Sequence, residues 1–367
     1  MFSAFLKRAG EQLKNELPFV IYRKPKESLV KGILQKDDQL HYASDYTEKG
    51  FVFAPFDKKE QTILLLLDEG LSADFEPKEP SVRTKDRLSR EDVEEKEFHL
   101  DLIQKGIEYI IAGNLQKVVL SRKIEIGNTE SPFSLFNKLL ITYSNAFCYL
   151  WYHPRVGMWL GATPEILLRA ENNRVTTMSL AGTQTYKGND NPTWGKKELT
   201  EQQLVTTYIT NVLENKVSDI NVSNVESIRA GQLLHLRSKI TAKYNNNLDE
   251  IICSLHPTPA VCGMPLELAK QFISQNENYH RGFYTGFLGE LNHREEIERN
   301  RSNRNQENKS YKAIKIATEL FVNLRCMQLK EGNVHIYVGG GITKDSDPKK
   351  EWLETVAKSN TMLNILD

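Results

Sequence analysis

Two pairs of carboxylates set the chemistry open to this chain. Glu198 and Glu201 stand three residues apart in Lys197-Glu198-Leu199-Thr200-Glu201, and Glu351 and Glu354 repeat that spacing in Glu351-Trp352-Leu353-Glu354. On a helix, residues three apart share a face. Two such faces can make a hard, oxygen-rich pocket, which is what Mg²⁺ takes. Lys358 lies four residues beyond Glu354 and shares its face, where an ammonium can hold an anionic substrate beside the metal. The plainer alternative is a pair of solvated, salt-bridged helix faces.

Other residues offer acid–base or anion-binding chemistry. Lys117 opens the β-branched stretch Lys117-Val118-Val119-Leu120. Turned into a cleft, a desolvated lysine serves as a base near neutral pH. At a strand edge it is a solubilising residue. Glu165 sits at a tight turn in Gly161-Ala162-Thr163-Pro164-Glu165; burial there would suit it to general acid work, and a surface charge is the alternative. Arg325, on an expected strand, offers a planar fork for a carboxylate or a structural ion pair. Gly339-Gly340-Gly341 follows a strand expected to end at Val338. It matches no nucleotide-binding pattern, but its N–H groups can cradle a carboxylate. His235 and His256 lack a second histidine at ligand spacing and read as structural.

These residues must be held by a chain of 367 residues, 40% hydrophobic and 26% charged, with 48 basic and 48 acidic side chains. That composition is ordinary for a globular protein and gives no basic field for nucleic acid. The longest aliphatic run, Ile63–Leu67, is far short of a membrane span. The N-terminus lacks a basic region followed by an apolar stretch, so no secretory signal is expected. Cys148, Cys253, Cys262 and Cys326 are scattered without a C-x-x-C pattern. They predict buried, unreactive thiols in a reducing cytoplasm rather than a zinc site or disulfide framework. The balanced charge and the lack of a coiled-coil repeat permit a monomer.

Residues 1–74 read as strand-rich, and residues 76–97 as a charged connection with a capping box at Ser89 and Asp92. Leu100, Ile103, Ile107 and Ile110 recur at helical spacing and stop at Gly113. Strands are expected at Lys117–Ile124, Phe147–Tyr152, Met158–Gly161, Ile166–Arg169, Val175–Ser179, Phe283–Leu288, Val322–Leu329 and Val334–Val338. Helical patterns fall at about 195–216, 265–275, 309–320 and 348–359. Strict βαβ alternation is missing, which favours an α+β fold. The polar stretch Arg294–Lys312 reads as a hairpin tip or loop. A nucleic-acid arm is disfavoured because no aromatic residue precedes Tyr311 for stacking.

In order, these segments resemble the chorismate-utilising enzymes. The resemblance is carried by KVVLSR at Lys117–Arg122, GATPEILL at Gly161–Leu168, SLAGT at Ser179–Thr183 and KELTEQQLV at Lys197–Val205. It continues through LLHL at Leu233–Leu236, HPTPAVCG at His256–Gly263, RGFYTG at Arg281–Gly286 and LRC at Leu324–Cys326. It closes with YVGGGI at Tyr337–Ile342 and DSDPKKEWLETVAK at Asp345–Lys358. The resemblance implies one α+β domain over residues 1–367, with two large, mostly antiparallel sheets flanked by helices. Residues 1–95 would form its N-terminal strand-rich part, and residues 113–367 carry the motifs. It also implies a deep cleft in which Mg²⁺ joins the protein to the ring carboxylate of chorismate.

Relatives that add an amine carry a nucleophilic lysine where Ala181 stands. Alanine leaves room for water and points to the isochorismate-forming branch and its salicylate-forming relatives. Anthranilate synthases and most salicylate synthases are longer at the N-terminus, which disfavours both. By resemblance, Lys117 is the base that activates water for attack at C2, and Glu165 the acid that protonates the departing C4 hydroxyl. Glu201 and Glu354 match the principal metal carboxylates, with Glu198 and Glu351 as partners that can act through water. Arg325 matches the clamp on the enolpyruvyl carboxylate, beside Tyr284 and Tyr337. Gly339, Gly341 and Lys358 match carboxylate-binding positions, His235 a ring-side contact, and Thr183 and Ala260 the pocket wall. Gln202 and His280 depart from the family, which usually has histidine and an acidic residue there. The product is expected to feed menaquinone or siderophore synthesis. A ligand-binding relative without turnover is the alternative from a different class.

Overall fold

The computed structural model describes residues 1–76, 93–186, 188–189, 192–230, 233–298 and 312–366. The capping box expected at Ser89 and Asp92, and the tip of the 294–312 segment, lie outside them. The chain starts with a helix, α1 (Phe2–Lys14), where strand was expected. Phe2, Phe5, Leu6, Ala9 and Leu13 recur at three- and four-residue spacing and pack on the sheet below.

After α1 come β1 (Phe19–Arg23), β2 (Leu29–Leu34), β3 (His41–Tyr42), β4 (Gly50–Ala54), β5 (Ile63–Leu66) and β6 (Glu69–Asp74). Then follow α2 (Val93–Ile111), β7 (Lys117–Gly127), α3 (Pro132–Thr142), β8 (Phe147–His153), β9 (Gly157–Thr163), β10 (Ile166–Glu171) and β11 (Arg174–Thr185). The next elements are α4 (Lys196–Leu213), β12 (Ser218–Val222), β13 (Glu226–Ala230), β14 (Leu233–Lys243), α5 (Leu248–Leu255), β15 (Gly263–Met264) and α6 (Leu266–Asn276). The last are β16 (Phe287–Glu298), β17 (Lys312–Val322), β18 (Cys326–Lys330), β19 (Asn333–Ile342) and α7 (Pro348–Leu363).

Two large antiparallel sheets result. One has nine strands in the order β15-β7-β19-β18-β9-β8-β1-β2-β6; the other has ten, β12-β14-β11-β10-β17-β16-β4-β5-β3, with β13 also paired to β14. This is the α+β architecture that the resemblance implied. Aromatic side chains fill the space between the sheets. Tyr22, Phe147, Tyr149 and Trp151 come from the first sheet, and Phe51, Phe53 and Phe321 from the second. Phe147 stacks on Phe321 at 4.2 Å and Phe53 meets Trp151 edge-on at 5.0 Å, geometries that aromatic quadrupoles favour. Helices α1, α3 and α7 cover the outer face of the nine-stranded sheet. Helices α4 and α5 cover the ten-stranded one, and α2 and α6 close over β7.

Several expectations are corrected. Within the helical pattern expected at 309–320, the described residues 312–320 belong to strand β17, held by β16 on one side and β10 on the other. Pairing on both edges overrides a weak local preference. Helices α3 and α5 were not foreseen. The three glycines lie inside β19, which runs on to Ile342. Arg325 is not on a strand but in the turn before β18, with a left-handed backbone (φ 49°). Strands β16 and β17 pair as far as Glu298 opposite Lys312, so the arms of a hairpin enter the polar 294–312 segment. All four cysteines are free; three are buried, but Cys253 is exposed.

Candidate active site

Strands β7 and β19 run side by side, with Gly339, Gly340 and Gly341 opposite Ser121, Leu120 and Val119. Helix α4 reaches this glycine stretch from the ten-stranded sheet, and α7 packs along β19 itself. Glu201 from α4 and Glu354 from α7 therefore meet the same backbone. A Cβ on Gly341 would run into Glu201 Oε1 and lie 3.0 Å from Lys117 Cε. Glycine is required there because two charged side chains pass over the strand. Around this point one cavity is lined by Glu165, Thr183, Glu201, His235, Ala260 and Tyr284, together with Arg325, Tyr337, Gly339, Gly341, Glu354 and Lys358. Ala181 lines it too.

Lys117, first residue of β7, is fully buried below this cavity. Its Nζ lies 2.7 Å from Glu201 Oε1, an ion pair rather than a well-aligned hydrogen bond. Glu165 lies in the short step between β9 and β10, just before the register of β10 against β17 shifts between Ile166 and Leu168. Its N–H donates to Thr163 Oγ1, and its carbonyl accepts from the Val322 N–H. Burial pushes its carboxyl up to about 7, against the opposing pull of Lys117, Lys358 and Arg325. A carboxyl that holds its proton near neutral pH is what a general acid needs.

The anion-binding side is built from β11, β14 and the turn before β18. A bulge between Ala181 and Thr183 interrupts β11, with Gly182 at φ 75°. Bulges re-aim side chains at functional sites. The Gly182 carbonyl accepts 3.1 Å from His235 Nδ1. That leaves His235 Nε2 as the acceptor facing Arg325 Nη2 at 3.4 Å. Burial, with Arg325 and Lys358 nearby, pushes His235 down to about 3, so it stays neutral. Arg325 also donates to Thr361 Oγ1 at 2.9 Å, which fixes its fork toward the cavity. Tyr284 stacks on Tyr337 with ring centroids 5.5 Å apart, and Tyr337 stacks on Trp159. Lys358 donates to the Gly339 carbonyl at 2.9 Å and pairs with Glu354 at 2.7 Å. Burial acts to raise Glu354, but Lys358, with Lys197 and Arg325 behind it, holds it below its ordinary value.

Comparison with known proteins agrees with the family resemblance and the fold. A family model described as chorismate binding enzyme matches residues 53–300, and a second of that description matches residues 315–364. This chain belongs to the chorismate binding enzyme family. Among curated relatives of this chorismate-binding chain, isochorismate synthase EntC of Escherichia coli (strain K12) is 28% identical over 332 residues, covering 85% of this chain and 79% of the relative. A solved 2,3-dihydroxybenzoate-specific isochorismate synthase, DhbC from Bacillus anthracis, described as putative, superposes with a TM-score of 0.77. It is 21% identical and covers 95% of this chain and 96% of its own. The menaquinone-specific isochorismate synthase MenF from Escherichia coli has a TM-score of 0.72 at 21% identity, covering 95% and 89%. At such identities the structural likeness carries the fold.

The carboxylates of this chorismate-binding enzyme suit a hard cation. Glu354 Oε1 and Glu351 Oε2 lie 3.7 and 3.8 Å from where a Gly340 Cβ would stand. Glu351 Oε2 is buried and makes no hydrogen bond. An orphaned carboxylate oxygen is costly unless a cation or water meets it. As placed, each carboxylate turns to a lysine: Glu201 to Lys117, Glu354 to Lys358 and Glu351 to Lys197. Among the described residues no three acidic, histidine or cysteine side chains converge. Glu198 does not line the cavity; it is half-buried, its Oε2 beside Gly195 at the start of α4.

Some contributors escaped sequence reasoning. Lys197 was quoted only as part of a motif. Arg281 is buried against Glu277 and donates to the carbonyls of Val119 and Val261, both on the cavity wall. Gln202, flagged as a departure, has an architectural role. Its Nε2 reaches Ser179 Oγ at 3.2 Å, Thr206 Oγ1 at 2.9 Å and Ser238 Oγ at 3.0 Å, tying α4 to β11 and β14. Gln202→Leu is expected to destabilise the protein by about 1–3 kcal/mol, because buried Ser238 loses the partner of its hydroxyl and Ser179 and Thr206, which keep each other, each lose a donor. Urea unfolding checks it; an unchanged midpoint counts against that role. His280 is exposed beside Glu60 and stands away from the site.

Proposed function

We propose that this enzyme converts chorismate to isochorismate. The observation that carries this reading is one cavity lined by a buried carboxyl poised near neutrality, Glu165, and by the small side chain of Ala181, with Lys117 buried beneath it against the lining Glu201. The names of the relatives above support it. Lys117 Nζ, acting as the base, takes a proton from water as the water oxygen bonds to C2 of the ring. The ring double bonds shift, the C4–oxygen bond breaks, and Glu165 gives its proton to the departing hydroxyl. One water enters and one leaves, so the net change is isomerisation. Proton exchange with solvent then resets both residues.

Glu201 and Glu354 would hold Mg²⁺, with Glu351 and Glu198 as partners. Such an ion would neutralise the ring carboxylate and polarise the ring. Arg325 clamps the enolpyruvyl carboxylate, with Tyr284 and Tyr337 as an aromatic wall. Gly339, Gly341 and Lys358 receive the ring carboxylate. His235, Thr183 and Ala260 shape the ring side.

Product analysis after incubation with chorismate and Mg²⁺, with an EDTA control, tests the reading. Isochorismate without pyruvate is expected, and only when Mg²⁺ is present. Salicylate with pyruvate would move the protein to the lyase branch, and no product would overturn the assignment. Arg325→Ala is expected to raise KM about 10- to 100-fold with a smaller change in kcat, since a charge-assisted clamp contributes about 1.5–3 kcal/mol. Steady-state kinetics decide; an unchanged KM removes Arg325 from substrate binding. We place the product in menaquinone or siderophore supply, and complementation of strains lacking either synthase distinguishes them.

A further inference from the structure

The acid–base chemistry leaves Lys197 without a task. It is the second residue of α4, beside Glu198 and one turn before Glu201. Its ammonium crosses to α7 and pairs with Glu351 Oε1. The charges of Glu354 and Glu201 also act on it, after Glu351. One tethered cation thus pairs with a carboxylate of α7 and feels the charge of two more. Lys117 and Lys358 are placed differently. Lys117 is sealed under Gly341, and Lys358 also donates to the Gly339 carbonyl. The Lys197 side chain is 24% exposed, whereas Glu351 is 3% exposed. The cation can swing into solvent; the carboxylate cannot. A buried carboxylate does not stay charged and unpaired, so a departing ammonium must be replaced by another cation or by a proton.

We propose that Lys197 is a built-in stand-in for the metal: it neutralises Glu351 in the metal-free protein and is displaced toward solvent when Mg²⁺ enters. This rests on Glu201, Glu351 and Glu354 being the metal carboxylates. The orphaned Glu351 Oε2 fits the idea, because the ammonium satisfies only the other oxygen. The competing role is a permanent latch between α4 and α7 that holds the carboxylates together for the metal. The two roles predict opposite signs: removing a competitor tightens Mg²⁺ binding, and removing a latch weakens it.

The experiment is calorimetric titration of Mg²⁺ alone into the full-length protein, comparing wild type, Lys197→Gln and Lys197→Arg. Thermal melts in EDTA and in saturating Mg²⁺ accompany it. Displacement predicts that Lys197→Gln binds Mg²⁺ about fivefold tighter or more, the scale of one partly exposed ion pair. The same variant melts lower in EDTA and gains more from Mg²⁺ than wild type does. Lys197→Arg, which keeps the charge, stays near wild type. Unchanged or weaker binding in Lys197→Gln overturns displacement, as does equal tightening in Lys197→Arg. Binding of Mg²⁺ to none of the three proteins overturns the metal reading itself.

Discussion

Lys117→Ala is expected to lower kcat about 10²- to 10⁴-fold, the range that a positioned base contributes, while chorismate still binds. Lys117 is fully buried at the foot of the cavity, and no second lysine shares its place beneath Gly341 among the described residues. The variant carries a structural penalty too. Glu201 loses the ammonium 2.7 Å away. Breaking a buried pair by removing one partner costs about 3–5 kcal/mol, because the remaining charge is left uncompensated. Stability and turnover must therefore be measured together. Mg²⁺ is expected to restore part of the lost melting temperature, since a cation near Glu201 relieves that charge, but not the turnover. Single-turnover assays with product separation, run on protein verified as folded, decide the point. Turnover within threefold of wild type would remove Lys117 from the role of base.

Glu165→Gln is expected to cost a similar factor in kcat and to change two pH profiles. In the free enzyme the carboxyl is pushed up to about 7 by burial. Its protonated fraction falls about tenfold per unit above that value, so kcat/KM of the wild type should decline on the alkaline side from near pH 7. The glutamine variant keeps only residual activity and loses that limb. Wild-type stability falls with pH as well. A carboxyl whose folded pKa lies above its unfolded 4.5 binds more protons folded than unfolded between the two values. Folding is then favoured while the group is protonated. The stability falls as pH rises from 4.5 and is fully lost above about 7, a change of about 3 kcal/mol. Glu165→Gln cannot ionise and escapes this loss. It should melt higher than wild type at pH 8 and match it near pH 4.5. Melting curves across that range provide the check, and a variant less stable than wild type at pH 8 would contradict the origin assigned to the raised pKa.

The helix-borne groups were legible because their signals are local. Glu198 and Glu201, and Glu351, Glu354 and Lys358, share faces by spacing alone, and both segments are helices, α4 and α7. The strand Lys117–Ile124, the hairpin of β8 and β9, and α2 and α6 were also legible, from β-branched content or helical periodicity. The motifs, taken in order, identified the chorismate-utilising family and with it the α+β class.

Tertiary structure decided the rest. Residues 312–322 are strand because β16 and β10 claim both of their edges, a pairing that no window of sequence contains. Arg325 takes a left-handed backbone because the chain must turn from Asn323 into β18, and the same turn aims its fork at the cavity. Gly341 of β19 is needed because Glu201 and Lys117 arrive from elements far away in the chain. Whether a glutamate is an acid poised near neutrality, a lysine's partner or a half-buried surface charge depends on burial and neighbouring charge. Glu165, Glu351 and Glu198 differ in those respects alone, and both are properties of the packed chain rather than of residue spacing.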